Sequence, residues 1–129
     1  MTSPDPLYND WIHQQIRVRP DYLAVYDLTA DRPFTWKQLD ARVDALAHWL
    51  LHTGIRAGDR IAYLGLNSSD VLEIFFAALR IGAAYVPLNF RLTPPELSFI
   101  VGDCTPSAIF YDRSFRNVID AIDAKVEPE

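Results

Sequence analysis

The sequence has 129 residues, of which 50% are hydrophobic, 22% charged and 12% aromatic, an ordinary globular composition that excludes disordered and fibrous classes. At this length the chain forms at most one domain, which buries roughly two thirds of its unfolded surface. Twelve basic and seventeen acidic residues give a net charge of −5, the wrong sign for a protein that holds a nucleic-acid backbone.

The sequence also predicts where in the cell the protein is located. The single cysteine, Cys104, excludes an intrachain disulfide and fits a reducing environment. The first six residues lack the basic start and apolar stretch of a signal peptide. The longest apolar runs, residues 74–79 and 81–88, are shorter than the ~20 residues that a membrane-spanning helix needs. We therefore expect a cytoplasmic protein without a transmembrane segment.

The N-terminal part of the sequence predicts a short helix and a β-hairpin. Residues 7–17 carry apolar side chains at helical spacing and stop before Pro20, which cannot continue a helix. An apolar run at 23–28, a polar turn and the pair Phe34-Thr35 then predict two short strands joined by a turn. The apolar positions of the predicted first helix are Leu7, Trp11, Ile12 and Ile16.

A longer helix is predicted to begin at Thr35. The Thr35 hydroxyl and the Gln38 side chain have the spacing of a capping box, and Gly54 stands where a left-handed C-terminal cap belongs. The apolar residues of this helix form one stripe, which indicates a single buried face in the core rather than a ligand site. The stripe consists of Trp36, Leu39, Val43, Leu46 and Leu50.

A strand at 61–64 is followed by a predicted helix at 70–81. Ser68 is the best N-cap of this helix, and Asp70 in the first turn opposes the positive end of the helix dipole. The body of the helix is apolar nearly all round, broken only by Glu73 and Arg80. Such a helix must be covered on more than one side.

The remaining sequence repeats the alternation of strand and helix. Apolar runs at 83–88 and 107–111 predict strands that are buried on both faces. Between them, the spacing of Thr93 and Glu96 predicts another capping box and a helix that ends near Gly102. A last amphipathic helix covers 115–122, and the tail 127–129 is expected to fray. The pattern predicts an α/β fold of parallel β-α-β units with a small N-terminal hairpin.

Candidate catalytic or metal-binding residues are few. His48 and His52 have the spacing of a zinc pair on a helix, but Trp49 stands where a metalloprotease needs glutamate, and no third ligand is evident. Two surface histidines are therefore the favoured interpretation. No partner for His13 can be named from the sequence. Cys104 has neither a nearby histidine nor an activating charge, which favours an inert thiol over a reactive one.

The turn at 65–69 joins a strand to the start of a helix, a place where phosphates often bind. It contains one glycine, Gly65, so its backbone cannot approach a phosphate closely along the whole turn. Capping and turn formation are the favoured role. Asp70 alone does not supply the acidic cluster of a receiver-like fold.

Four segments together resemble a known family. They are residues 34–39 (FTWKQL), 57–62 (AGDRIA), 67–68 (NS) and 79–89 (LRIGAAYVPLN). In this order and spacing they closely resemble the opening of AMP-forming acyl-CoA synthetases, members of the acyl-adenylate-forming superfamily, over residues 7–112. The continuation 88–97 (LNFRLTPPEL) looks like the acyl-CoA ligase branch. Amino-acid-adenylating domains usually carry Asp where Asn89 stands.

The resemblance implies an activity that these residues do not complete. Enzymes of the family use ATP and Mg²⁺ to convert a carboxylate into an acyl-adenylate, and then pass the acyl group to coenzyme A (CoA). Their phosphate loop and their C-terminal domain with its catalytic lysine lie downstream of the segments found here. We therefore expect residues 1–129 to be a partial N-terminal domain, inactive alone and without a catalytic residue.

The resemblance singles out one ligand contact, Arg91. In some CoA ligases of the family the arginine at this position approaches the CoA 3′-phosphate, a contact that suits a guanidinium fork. The alternative is a solvated arginine beside a turn, or a structural ion pair. A fatty acid or another carboxylic acid is the implied substrate.

Two other hypotheses about the function of the chain stay open. The scaffold can serve as a non-enzymatic binding module, or it can belong to an amino-acid adenylation domain, which Asn89 disfavours. The family's N-terminal domain stacks helices between two sheets, so part of the helix at 70–81 is expected to lack its cover in this chain. We therefore expect self-association, as a dimer, through exposed apolar surface.

Overall fold

The computed structural model describes residues 10–123, which form five helices and five strands within that range. A short 3₁₀ turn, Arg113–Phe115, precedes the last helix. The elements are α1 (Trp11–Val18), β1 (Leu23–Asp27), β2 (Arg32–Thr35), α2 (Trp36–His52), β3 (Arg60–Leu64), α3 (Ser69–Ile81), β4 (Ala84–Leu88), α4 (Pro94–Cys104), β5 (Ala108–Tyr111) and α5 (Arg116–Asp123).

The strands form two sheets. β1 and β2 pair antiparallel as a hairpin, whereas β3 pairs parallel with β4 on one side and with β5 on the other. The strand order of the parallel sheet is therefore β4-β3-β5. This topology confirms the predicted α/β class with parallel β-α-β units and an N-terminal hairpin.

Helices cover both faces of the parallel sheet. Ile61 and Tyr63 of β3 pack into one apolar cluster with α1, α2 and α3, whereas Ala62 and Leu64 pack into a second cluster with α4 and α5. Successive residues of a strand point to opposite faces, so the four consecutive apolar residues of β3 serve two cores at once. The result is a three-layer arrangement of helices, sheet and helices.

The prediction that both later strands are buried on both faces is wrong. The strand buried on both faces is β3, because it lies between the other two and covers one edge of each. In β4, Ala84 and Pro87 are exposed, and in β5 Tyr111 is exposed. Pro87 suits an edge strand, because proline has no N–H to donate to a further neighbour.

In the described residues the first helix begins at Trp11, directly after its N-cap. Asp10 caps it by accepting the His13 N–H at 3.2 Å, and Ile12 is fully buried against α2. Trp11 was expected on the apolar face but is 64% exposed. Ile12 and Ile16 are four residues apart and share the inner face, which turns Trp11 outward. The predicted start at residue 7, with Leu7, lies outside the described residues, as does the tail 127–129.

Helix α2 follows the sequence prediction closely. The capping box is present, because the Gln38 N–H donates to Thr35 Oγ1 at 3.2 Å and the Thr35 N–H donates to Gln38 Oε1 at 2.9 Å. Gly54 follows the helix with φ of 101°. Most of the predicted stripe is buried, and Trp36 and Leu46 pack partly buried against it. The fully or nearly fully buried members are Leu39, Val43 and Leu50.

Helix α4 runs two residues further than Gly102, to Cys104. Its last carbonyls are satisfied by Arg60 of β3, whose Nε donates to Cys104 O at 2.9 Å and whose Nη2 donates to Thr105 O at 3.0 Å. Side-chain donors of this kind satisfy the carbonyls that a helix leaves unpaired at its C-terminal end. At the other end, the Thr93 N–H donates to Glu96 Oε2 at 2.8 Å, as the predicted capping box requires.

Candidate functional site

Three connecting segments meet at the carboxyl edge of the parallel sheet. Leu64 pairs with Leu88 on one side and with Tyr111 on the other, so the segments that follow β3, β4 and β5 begin side by side. These segments carry Gly65, Asn89 and Asp112 respectively. In open α/β sheets, ligands bind beyond the carboxyl ends of the strands. This edge is therefore the candidate functional site.

A cavity of about 610 Å³ opens at this edge. It lies between the β1–β2 hairpin, the turn at 65–68, the first turns of α3 and the end of β5. Its walls combine aromatic side chains with charged ones. The lining includes Arg32, Tyr63, Ser68, Asp70, Glu73 and Asp112.

Asp27 joins the hairpin to the start of α3. One of its carboxylate oxygens, Oδ2, accepts the backbone N–H of Ser69 at 3.0 Å and the Ser69 hydroxyl at 3.1 Å. The other, Oδ1, accepts the Ala30 N–H at 3.0 Å within the hairpin turn. The Ser69 N–H, then the Ala30 N–H, and further the Ser69 hydroxyl and Arg32 hold the pKa of Asp27 down at about 2. Asp27 is buried, with 8% of the residue exposed.

Arg32 closes the same network from β2. Its Nη2 donates to Ser69 Oγ at 2.9 Å and to Asp70 Oδ1 at 3.2 Å, and lies 3.4 Å from Asp27 Oδ2. The start of α3 is therefore held by one carboxylate and one guanidinium, both from the hairpin. Charged partners of this kind make stronger hydrogen bonds than neutral ones.

The sequence predicted the position of the α3 cap correctly but not the group that caps it. Ser68 has the extended backbone of an N-cap, with φ of −156°, yet its hydroxyl makes no capping hydrogen bond. Asp27 supplies the acceptor instead, from 42 residues earlier in the chain. A carboxylate beside the positive end of a helix dipole replaces the serine hydroxyl expected there.

The charged residues of α3 all bind elements that precede the parallel sheet. Asp70 pairs with Arg32, and Glu73 pairs with Arg42 of α2 through a two-pronged contact. These pairs, together with Arg80, give an otherwise apolar helix one polar stripe. The rest of α3 is buried on its inner side, at Ile74, Ala77 and Ala78, whereas Leu72 is exposed.

Arg80 links α3 to both α1 and α2. Its Nε donates to Asp10 Oδ2 at 2.9 Å, and its Nη2 donates to Asp40. Burial raises the pKa of Asp10, but the hydrogen bonds from Arg80 and the His13 N–H outweigh it and hold that pKa below its usual value. Asp10 and Asp40 likewise raise the pKa of Arg80 against the effect of burial.

His13 has the partners that the sequence did not reveal. Its Nε2 lies 3.2 Å from Asp40 Oδ1 and its Nδ1 lies 3.4 Å from Asp10 Oδ2. Asp40 belongs to α2, so the pairing depends on how α1 and α2 pack and has no signal in the local sequence. His13 therefore belongs to the same structural network as Arg80.

The turn at 65–68 is tightly packed on its inner side. The Tyr63 hydroxyl donates to Leu66 O at 3.1 Å, and burial raises the pKa of Tyr63. A Cβ at Gly65 would lie 2.6 Å from the Tyr63 hydroxyl and 2.9 Å from Asp112 Cβ. Asp112 in turn accepts the Ser114 N–H at 2.9 Å. Glycine is therefore required at position 65, because these two side chains leave no room for a Cβ.

Arg91 lies exposed in the turn after β4. Its backbone N–H donates to Asn89 Oδ1 at 3.0 Å, and its guanidinium lies 5.6 Å from the centre of the Phe90 ring. Phe90 packs against Phe115 with ring centres 5.7 Å apart. The Asn89 side chain thus holds the backbone of the turn, and Phe90 packs beneath the guanidinium of Arg91. The guanidinium lies at the carboxyl edge of the sheet.

The remaining candidates lie away from this edge. His48 and His52 are exposed on α2, and His48 Nδ1 lies 3.7 Å from Asp44 Oδ2. Cys104 is half-buried at the end of α4, with Sγ 4.0 Å from Val101 O. Among residues 10–123, no three His, Cys, Asp or Glu side chains are grouped as metal ligands, so we assign no Mg²⁺ ligands there. Over the same range, no helix has both the length and the apolar character to cross a membrane.

Sequence reasoning missed Asp27 and Arg32. Both lie in strands whose partners are set by tertiary packing, and neither belongs to a motif with a fixed spacing. The one available signal was a charged residue on each side of the hairpin turn, Asp27 at the end of β1 and Arg32 at the start of β2. The serine predicted to cap α3 gave no reason to look for a second capping group.

The sequence of the chain matches one family. The family model described as AMP-binding enzyme matches residues 12–129, so the chain belongs to the AMP-binding enzyme family. The chain is 36% identical over 117 residues to long-chain-fatty-acid–CoA ligase FadD13 of Mycobacterium tuberculosis, covering 91% of this chain and 23% of that protein. It is 35% identical over 113 residues to indoleacetate–CoA ligase of Aromatoleum aromaticum, covering 88% of this chain and 22% of that protein.

Solved structures show the same fold. The inhibitor-bound N-terminal domain of FACL13 from Mycobacterium tuberculosis superposes with a TM-score of 0.85 at 36% identity, covering 91% of this chain and 29% of that one. The predicted resemblance to the N-terminal domain of acyl-CoA ligases is therefore confirmed. The chain spans 23% of the length of FadD13 and a similar share of the other curated relative.

Proposed function

We propose that this chain is the early part of the N-terminal domain of an ATP-dependent, AMP-forming acyl-CoA ligase. The observation that supports it most is the match to FadD13, at 36% identity over 91% of the chain, together with the shared fold. The chain covers 23% of that relative, and the proposal places the phosphate loop and the C-terminal domain of the enzyme outside residues 1–129. Residues 1–129 then act as a scaffold.

The reaction has two steps. A carboxylate oxygen of the acid attacks the α-phosphorus of ATP, which forms an acyl-adenylate and releases pyrophosphate. The CoA thiol then attacks the acyl carbon, gives up its proton, and displaces AMP to form the thioester. Mg²⁺ supplies neutralisation of phosphate charge in such chemistry. Within residues 10–123 we assign no group that touches the reacting atoms.

Arg91 is the residue of this chain that we assign to a ligand. Its guanidinium is exposed at the carboxyl edge and is held by a turn that Asn89 and Phe90 stabilise. A guanidinium fork binds phosphate oxygens with two parallel hydrogen bonds. We propose that Arg91 holds the 3′-phosphate of CoA.

We propose a fatty acid as the acyl substrate, supported by the name of the fatty-acid ligase relative. The second relative is named for indoleacetate and is almost as similar to this chain. An assay with several acids is therefore needed to decide the acyl class. We also propose a cytoplasmic location, which the single cysteine supports. Fractionation of cells that produce the protein checks the location, and recovery in a membrane or secreted fraction contradicts it.

Self-association of the 129-residue chain remains a proposal. Large apolar side chains are exposed on it, including Leu72 on α3. A second copy that covers some of these side chains would remove apolar area from water. Light scattering over a range of concentrations, together with binding of an apolar dye, tests the proposal. A monomer at all concentrations that binds no dye contradicts it. The most exposed of these side chains are Leu28, Phe99 and Val18.

The enzymatic proposal is tested on the complete polypeptide that carries residues 1–129. Carboxylic acids of fatty, short and aryl type are supplied with ATP, Mg²⁺ and CoA, and release of pyrophosphate and formation of thioester are measured. We expect fatty acids to give the highest kcat/KM. In Arg91→Ala, the KM for CoA rises while ATP–pyrophosphate exchange stays normal. Loss of both activities points instead to a structural role of Arg91.

A further inference from the structure

We draw no further inference here: the strongest candidate, the apolar groove between the β1–β2 hairpin and α3 that is lined by Tyr26, Leu28, Val71 and Leu72, carries nothing because nothing in the described part of the structure shows what covers it.

Discussion

The carboxylate of Asp27, at the end of β1, accepts the backbone N–H of Ser69, the first residue of α3, at 3.0 Å. The contact joins two parts of the fold that share no sheet: the N-terminal hairpin and the parallel sheet with its helices. Two further contacts run in parallel with it, from Arg42 to Glu73 and from Arg80 to α1 and α2. Helix α3 therefore carries the charged contacts that join the N-terminal segments to the part of the fold around the parallel sheet.

The low pKa of Asp27 predicts acid sensitivity. The folded-state pKa of about 2 lies below the ordinary value of 3.8, so this group adds stability that is fully present above about pH 4. That stability is lost as the pH falls from 4 towards 2, because the unfolded chain takes up the proton first. Urea unfolding of the chain at pH 5 and at pH 2.5 measures the difference.

Asp27→Asn is the matching control for that prediction. It should lower stability at pH 5 and should lose less stability on acidification than the wild type, because it has no proton to gain at this position. Equal acid sensitivity of the two proteins shows that other carboxylates cause the effect.

Gly65→Ala should destabilise the chain by about 1–3 kcal/mol, the range for forcing an extra methyl group into a packed site. The new Cβ would meet the Tyr63 hydroxyl at 2.6 Å and Asp112 Cβ at 2.9 Å. Gly102→Ala is the control, since nothing lies within 4 Å of a Cβ there and the residue is inside α4. That variant should gain roughly 0.5–1 kcal/mol, because alanine is the better helix former. Chemical denaturation of both variants decides the prediction, and equal stability of the two contradicts it.

Leu50→Ala and Leu51→Ala should differ sharply although the residues are neighbours. Leu50 is 0% exposed, whereas Leu51 is 40% exposed. Removing the buried side chain should cost about 2–5 kcal/mol, and removing the exposed one about 0.5 kcal/mol or less. The free energies of unfolding of the two variants test whether the face of α2 that carries Leu50 is the buried one. A similar loss in both shows that it does not.

Arg80→Ala should destabilise the chain by about 2–3 kcal/mol, because it removes the guanidinium that pairs with two partly buried carboxylates, Asp10 and Asp40. Arg17→Ala removes an exposed arginine from α1 and should change stability by about 0.5 kcal/mol or less. Melting curves of the two variants compare them. A loss in Arg17→Ala as large as that in Arg80→Ala means that net charge, rather than the pairing, is responsible.

The sequence predicted the elements whose signals are local. The capping box of Thr35 and Gln38 and the apolar stripe of α2 formed as expected, because each depends on residues within a few positions of one another. The alternation of strands and helices likewise indicated the parallel sheet. Recognition of the family came from four short segments in order rather than from a catalytic motif.

Features that depend on packing between distant segments were not predictable. Apolar runs do not say which strand lies in the middle, and β3 took that place, so the outer strands are half-covered. The capping of α3 by Asp27 and the pairing of His13 with Asp40 likewise join residues that only the folded chain brings together. Arg91 was named from the resemblance, and its exposure at the carboxyl edge is consistent with either role considered for it.

The most direct test of the proposed ligase is ATP–pyrophosphate exchange by the complete polypeptide that carries this chain. The account predicts exchange that depends on an added fatty acid and is followed by transfer of the acyl group to CoA. A folded preparation that binds ATP but shows no exchange with any acid of the panel would contradict it and favour a binding module on the same scaffold.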